Sequence, residues 1–161
     1  MSPDLPAARP VGSNTILQYL PRAIRVPNNP LRAIAVGWLT AFPVSIAFAI
    51  LGSFLFPDLD RPQFPMSGAM AIFLLVIFSP LLETLIMGAV LLVLVRLVGP
   101  TAAILASSAG WGIAHSLAAP AWGLVIWWPF LVFSTLFVTW RARSLWLAFA
   151  VPACVHALQN L

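Results

Sequence analysis

The sequence predicts an all-α protein, a polytopic bundle of transmembrane helices, and three observations lead to this prediction. Of the 161 residues, 61% are hydrophobic and only 7% are charged, whereas roughly a quarter of the residues in a soluble domain are charged. The apolar residues occur in long runs that end at prolines or charged residues. A bilayer core about 30 Å thick requires roughly 20 apolar residues per helix, so the chain has room for about five spans in one compact domain.

Five apolar runs are the predicted spans, and they cover residues 33–56, 68–95, 101–119, 121–140 and 144–161. The segment between the first two runs holds two aspartates, an arginine and prolines, which hydrocarbon does not tolerate, so we predict a loop there. Together the five runs form a predicted transmembrane domain over residues 33–161. Residues 1–32 contain six prolines and several polar residues, a mixture that predicts an N-terminal tail in the cytoplasm or at the membrane interface.

The basic charge of the chain indicates topology rather than a nucleic-acid partner. The net charge of +4 comes from eight arginines without any lysine, and they are scattered rather than clustered in a basic run. Six of the eight arginines flank one end of the predicted spans, and Asp58 and Asp60 lie in the opposite loop. The positive-inside rule therefore places the N-terminus in the cytoplasm. Abundant alanine, proline and arginine without lysine favour a bacterial source, and thus the inner membrane.

The only glutamate and the only two histidines, Glu83, His115 and His156, all lie within predicted spans. Such groups cost several kcal/mol in hydrocarbon and tend to mark a site or a pathway. Each lies twelve to fourteen residues from the arginine-flanked end of its span, which at about 1.5 Å per residue is roughly 18–21 Å. The three side chains are therefore expected to meet in one layer, with Asn160 one helical turn from His156.

Glu83 follows Pro80, which lacks an amide hydrogen, and we expect this proline to bend the span and to free a carbonyl near the carboxyl group. A carboxylate beside an imidazole suits a general base that takes a proton from water. The same side chains are also compatible with hydrogen bonds that only hold helices together. Cys154 is the only cysteine, and we expect it to be a small buried side chain.

These residues resemble three motifs of the CPBP intramembrane proteases, the family of the CAAX-processing endopeptidases and the bacterial Abi proteins. The family motifs are P-x-x-E-E-x-x-x-R, F-x-x-x-H and H-x-x-x-N/D, in this order. The first is similar to Pro80 to Glu83, the second to Trp111 to His115 with Trp for Phe, and the third to His156 to Asn160. The resemblance extends from about residue 79 to the C-terminus.

Two positions depart from the family motif. With Pro80 aligned, Glu83 matches the first glutamate, Thr84 replaces the second, and Gly88 stands in place of the arginine. We prefer this alignment because a buried glutamate and arginine can be lost together as a neutralised pair. If Gly88 instead matched the glycine after that arginine, Leu82 would replace the first glutamate and the chain would be inactive.

The resemblance implies a glutamic-type intramembrane endopeptidase whose substrate is a membrane-tethered protein or a sorting signal. Glu83 with His115 would activate a water molecule, and His156 with Asn160 would stabilise the oxyanion. We expect no metal or other cofactor, and zinc bound by Glu83 and the two histidines is the alternative. Two other functions stay open: a non-catalytic scaffold or immunity protein, and a small transporter with a Glu/His proton relay.

Overall fold

The computed structural model describes residues 9–161, and this part of the chain is helical without any β-strand. The prediction of an all-α bundle is therefore confirmed. Residues 1–8 of the predicted tail lie outside the described residues.

The helices follow the predicted apolar runs closely. Before them come a 3₁₀ turn and the short helix α1, and the second run is built from three consecutive helical segments. The elements are the 3₁₀ turn Ile16–Tyr19, α1 Arg22–Arg25, α2 Pro30–Leu55, α3 Gly68–Ile72, a π-helical segment Phe73–Phe78, α4 Ser79–Val98, α5 Pro100–Ala118, α6 Pro120–Arg141 and α7 Leu145–Gln159.

Proline and capping side chains explain where these helices begin. Pro30, Pro100 and Pro120 each open a helix, the position where the missing amide hydrogen costs nothing. The Ser144 side chain accepts a hydrogen bond from the Leu147 amide at the start of α7, and such a cap stabilises a helix N-terminus. Gly99, with φ of 79°, makes the turn between α4 and α5, a conformation that glycine adopts without strain.

Among residues 9–161, three helices are long and apolar enough to cross a membrane, as an integral membrane protein requires: Pro30–Leu55, the continuous helix Gly68–Val98 and Pro120–Arg141. The helices α5 and α7, which we predicted to be the third and fifth spans, do not meet this criterion. In α5 three serines, two glycines and His115 lower the hydropathy, and α7 has only 15 residues, or about 22 Å of helix.

Helix α6 forms the centre of the bundle. Every residue from Pro129 to Trp140 is buried, and α6 packs against α2, α5 and α7. Two indole groups reinforce this arrangement: Trp128 Nε1 of α6 donates to the Thr40 carbonyl at 2.9 Å, and Trp38 Nε1 of α2 donates to the Leu158 carbonyl at 3.1 Å. The helices that carry the candidate site are thus held around one buried axis.

Helices α5 and α6 approach each other closely at two glycines. A Cβ atom added to Gly123 would lie 2.4 Å from the Gly112 carbonyl oxygen and 1.7 Å from Ser116 Oγ. Small residues permit such backbone contact between apolar helices. Because His115 lies between Gly112 and Ser116 on α5, this contact also determines how far His115 stands from α6.

The predicted tail contributes to the core. Leu17, Leu20 and Ile24 are buried against the bundle, and Arg25 donates from Nε to the Leu20 carbonyl at 2.9 Å. The expectation of a buried Cys154 was wrong: its side chain is exposed on the outer face of α7, where an apolar helix in a bilayer would contact lipid.

We expect Gly123→Ala to lower stability by about 1–3 kcal/mol, because the added methyl group overlaps a backbone carbonyl that cannot move aside. Gly110→Ala is the matched control, since a Cβ atom there meets nothing within 4 Å and alanine favours the helix. Thermal unfolding in detergent measures both. Equal midpoints for the two variants would contradict the close approach of α5 and α6.

Candidate functional site

The structure brings together the glutamate and the two histidines that we predicted to share a layer. His115 Nε2 lies 3.7 Å from Glu83 Oε2, and His156 Nε2 lies 3.9 Å from the same oxygen. Glu83 belongs to α4, His115 to α5 and His156 to α7. Both separations are too long for direct hydrogen bonds, so the two ring nitrogens and the carboxylate oxygen face a common space.

Neighbouring polar groups hold Glu83 and His115 in place. The Ser79 hydroxyl, one turn earlier on the same helix, donates to Glu83 Oε1. His115 Nδ1 lies 2.8 Å from the Trp111 carbonyl oxygen, and since a carbonyl only accepts, Nδ1 carries the hydrogen. In the neutral ring Nε2 is then a free acceptor that points at Glu83. Glu83 Oε2 itself has no hydrogen-bond partner among the described residues.

Aromatic side chains of α6 form the apolar wall behind both imidazoles. The His156 ring stacks on Phe133 with 4.8 Å between centroids, and it meets the edge of Phe130 at 5.3 Å. The His115 ring makes an edge contact with Trp122 at 4.6 Å. This packing restricts the ring orientations and excludes water from one side, which strengthens electrostatic interactions within the site.

A cavity of about 190 Å³ joins these groups. Its walls include all four predicted residues, Glu83, His115, His156 and Asn160, together with five that we did not predict: Phe64, Leu75, Ser79, Trp122 and Ile126. Ser79 had a usable sequence signal, because it precedes Glu83 by one helical turn. Phe64 had none, since it comes from the loop between α2 and α3 and meets the cavity through its edge contact with Trp122.

The cavity lies towards the end of the bundle where the 57–67 loop is, opposite the end that six of the eight arginines flank. His115 and His156 are each three residues from the end of their helices, and the 57–67 loop reaches the cavity through Phe64. At the other end, Arg143 after α6 donates to the Pro27 and Asn28 carbonyls before α2, at 3.1 and 2.8 Å. The site is thus accessible from one face of the bundle.

Asn160 does not reach Glu83 directly. Its side-chain amide donates to the Leu75 carbonyl at 2.9 Å, between the end of α7 and the π-helical segment. Its backbone amide donates to the His156 and Ala157 carbonyls at 3.2 and 3.3 Å. Asn160 therefore connects the helix of His156 to the helix of Glu83.

The two positions that depart from the motif face away from the cavity, towards the helix interfaces. Thr84 is buried with 2% exposure and its hydroxyl lacks a partner in the described part of the chain. A Cβ atom on Gly88 would lie 2.3 Å from Phe149 and 2.6 Å from Phe137. An arginine does not fit at Gly88, because these two rings occupy the space that its side chain requires.

Zinc bound by Glu83 and the two histidines was the alternative that the sequence left open. Among residues 9–161, no group of three His, Cys, Asp or Glu side chains is arranged to hold a metal ion. Glu83 and the two histidines are the nearest to such a set, but the oxygen-to-nitrogen separations of 3.7 and 3.9 Å exceed those of a regular tetrahedral zinc site, about 3.3 Å for ligand bonds near 2.0 Å.

Comparison of the chain with family models, with curated proteins and with solved structures found no match.

We expect His156→Phe to leave the stability unchanged or to raise it by about 1 kcal/mol, because His156 is buried, its Nδ1 has no partner within the described residues, and its ring already packs as an aromatic group. Leu91→Ala, in the core at 0% exposure, calibrates the assay with an expected loss of about 2–5 kcal/mol. Thermal unfolding in detergent compares them. A large loss with His156→Phe would mean that the imidazole is a structural hydrogen-bonding group.

Proposed function

We propose that this protein is an integral membrane endopeptidase of the CPBP kind that uses Glu83 as its general base. The observation that carries this proposal is the convergence of the only glutamate and both histidines on one cavity, with 3.7 and 3.9 Å between Glu83 Oε2 and the two Nε2 atoms. Placing three ionisable side chains together, with His156 buried and the other two partly buried, opposes stability, so their convergence favours a chemical role.

The proposed reaction is hydrolysis of a peptide bond by a water molecule held between Glu83 Oε2 and His115 Nε2. Both atoms accept hydrogen bonds when Glu83 is ionised and His115 is neutral, which suits the two hydrogens of one water. Glu83 takes a proton as the water oxygen bonds to the peptide carbon. It then returns this proton to the leaving nitrogen when the carbon–nitrogen bond breaks.

His156 is the proposed donor to the oxyanion. Its Nε2 points into the cavity, and its other nitrogen, Nδ1, lies among apolar side chains without a partner in the described chain. The neutral ring with hydrogen on Nε2 therefore directs its one donor at the reacting group. A donor fixed in an apolar site stabilises developing negative charge more strongly than one in water.

Zinc bound by Glu83, His115 and His156 is the alternative, and it would require these side chains to move closer together than the structure places them. We propose a metal-free reaction on a peptide or protein that is tethered to the bilayer. The cavity volume of about 190 Å³ is sufficient for the peptide group and one small side chain, so the rest of the substrate would lie outside it.

We further propose that the protein lies in a bacterial inner membrane with its N-terminus in the cytoplasm. Six arginines flank one end of the bundle, at the start of α2 and the ends of α4 and α6, and both loop aspartates lie at the other end. The site, at the end with the loop aspartates, would then be reached from the extracytoplasmic face.

A non-catalytic scaffold or immunity protein is the second candidate function. Thr84 and Gly88, where the family has glutamate and arginine, favour it because two charged groups of the family motif are missing. The geometry favours the first proposal, because Thr84 and Gly88 face the helix interfaces whereas Glu83 faces the cavity.

We expect Glu83→Gln to abolish proteolysis while preserving the fold, because the amide keeps the shape of the carboxyl group but cannot take the proton. Deletion cells are complemented with wild type or with Glu83→Gln, and the N-terminal ends of membrane and secreted proteins are compared. New ends that appear only with wild type support the proposal and identify the substrate. Identical profiles at equal protein levels would instead favour the scaffold function.

Orientation is tested with two single-cysteine proteins made in a Cys154→Ala background. Gln63→Cys lies in the exposed loop beside the cavity and Ser13→Cys in the exposed tail. We expect a membrane-impermeant maleimide to label Gln63→Cys in intact spheroplasts and Ser13→Cys only after permeabilisation. The opposite pattern would reverse the proposed topology and place the cavity on the cytoplasmic side.

A further inference from the structure

The helix that carries Glu83 changes its hydrogen-bond register immediately before the site. Residues Phe73–Phe78 form a π-helical segment, in which each amide donates to the carbonyl five residues earlier. The last bond of this series runs from the Ser79 amide to the Leu74 carbonyl. The next amide in the series would belong to residue 80, which is proline and has no hydrogen to donate.

Pro80 therefore leaves the Leu75 carbonyl without a donor from its own helix. Ser79 cannot supply one, because its amide is used by Leu74. An unpaired carbonyl is costly in apolar surroundings, where water does not replace the missing donor. The donor comes from α7: the Asn160 side-chain amide bonds this carbonyl at 2.9 Å.

This hydrogen bond joins the two parts of the site that face each other. Asn160 ends the helix that holds His156, and its backbone amide donates to the His156 carbonyl. Leu75 lies four residues before Ser79, and the Ser79 hydroxyl donates to the Glu83 carboxyl group. The distance of 3.9 Å between His156 Nε2 and Glu83 Oε2 thus depends on where α7 ends against the π-helical segment.

We infer that Asn160 is a positioning residue, which holds His156 opposite Glu83 by bonding the carbonyl that Pro80 leaves free. The importance of Asn160 for catalysis rests on the proposed function. The hydrogen bond between Asn160 and Leu75 does not depend on that proposal. This positioning role differs from the role implied by the family resemblance, in which Asn160 stabilises the oxyanion directly. One amide hydrogen of Asn160 is committed to Leu75, and His156 is the donor that remains directed at the reacting group.

The test combines Pro80 and Asn160 in the full-length protein. Asn160→Ala removes the donor, and Asn160→Asp keeps the shape of the side chain but presents an acceptor to an acceptor. Pro80→Ala restores a backbone amide hydrogen, so the helix itself can then satisfy the freed carbonyl whether the segment stays π-helical or becomes α-helical. The fourth protein is the double variant Pro80→Ala/Asn160→Ala.

Two readouts are taken in detergent. The first is the thermal midpoint, where Asn160→Ala and Asn160→Asp should each lower the value by roughly 2–6 °C, the effect of one hydrogen bond in a chain of this length. In the Pro80→Ala background the effect of Asn160→Ala should fall to less than half. Additive effects would overturn the inference, because they would show that Asn160 does not serve the carbonyl freed by Pro80.

The second readout is the ¹⁵N spectrum of the imidazoles, in which the chain's two histidines give two sets of signals. Asn160→Ala and Asn160→Asp should move the Nε2 signal of His156, and His115, held by Trp111, should change much less. An unmoved His156 signal would overturn the positioning role. Neither readout depends on proteolysis. Identical N-terminal profiles for wild type and Glu83→Gln would therefore contradict the proposed function without deciding the role of Asn160.

Discussion

Polar groups that lie among apolar helices must find their partners within the chain, and most of the site's architecture satisfies this requirement. The Trp111 carbonyl fixes the ring of His115, the Ser79 hydroxyl holds one oxygen of Glu83, and Asn160 bonds the carbonyl next to the proline. Each of these bonds also orients a side chain towards the cavity. Glu83 Oε2 and the Nε2 atoms of the histidines face one another without direct bonds, as a site for water and a peptide group requires.

Close helix packing supplies the rigidity that this arrangement needs. The contact of α5 with α6 at Gly112 and Gly123 brings His115 against the aromatic face of α6, and the buried segment from Pro129 to Trp140 provides the wall on which His156 stacks. Gly88 lets α4 approach α6 and α7. The same contact leaves no room for the arginine that the CPBP motif has at this position. Gly88 therefore removes a positive charge relative to that motif and also permits closer helix packing.

The sequence predicted the helices and the convergence of Glu83, His115 and His156, because both follow from strong local signals. Apolar runs ended by Pro120 or by Arg96 define helix limits to within a few residues, and counting along the helices placed Glu83, His115 and His156 at matching depth. The prediction that Pro80 frees a carbonyl also agrees with the structure, where this carbonyl belongs to Leu75. The partner of that carbonyl, the π-helical segment and the contribution of Phe64 depend on long-range packing, for which no local pattern exists. The burial of Leu17, Leu20 and Ile24 and the exposure of Cys154 were missed for the same reason.

Glu83 lies between the two histidines, and the composition of the chain allows this arrangement to be measured directly. With one glutamate and two histidines in the sequence, labelling by residue type is specific for the site. Solid-state NMR of the membrane-reconstituted protein, with ¹³C in the glutamate carboxyl group and ¹⁵N in the imidazoles, measures the dipolar coupling between them. We predict that both Nε2 atoms are coupled to the Glu83 carboxyl carbon, in accord with separations of 3.7 and 3.9 Å from Oε2. If neither ring is coupled to the carboxyl carbon, the result contradicts the site and, with it, the proposed function.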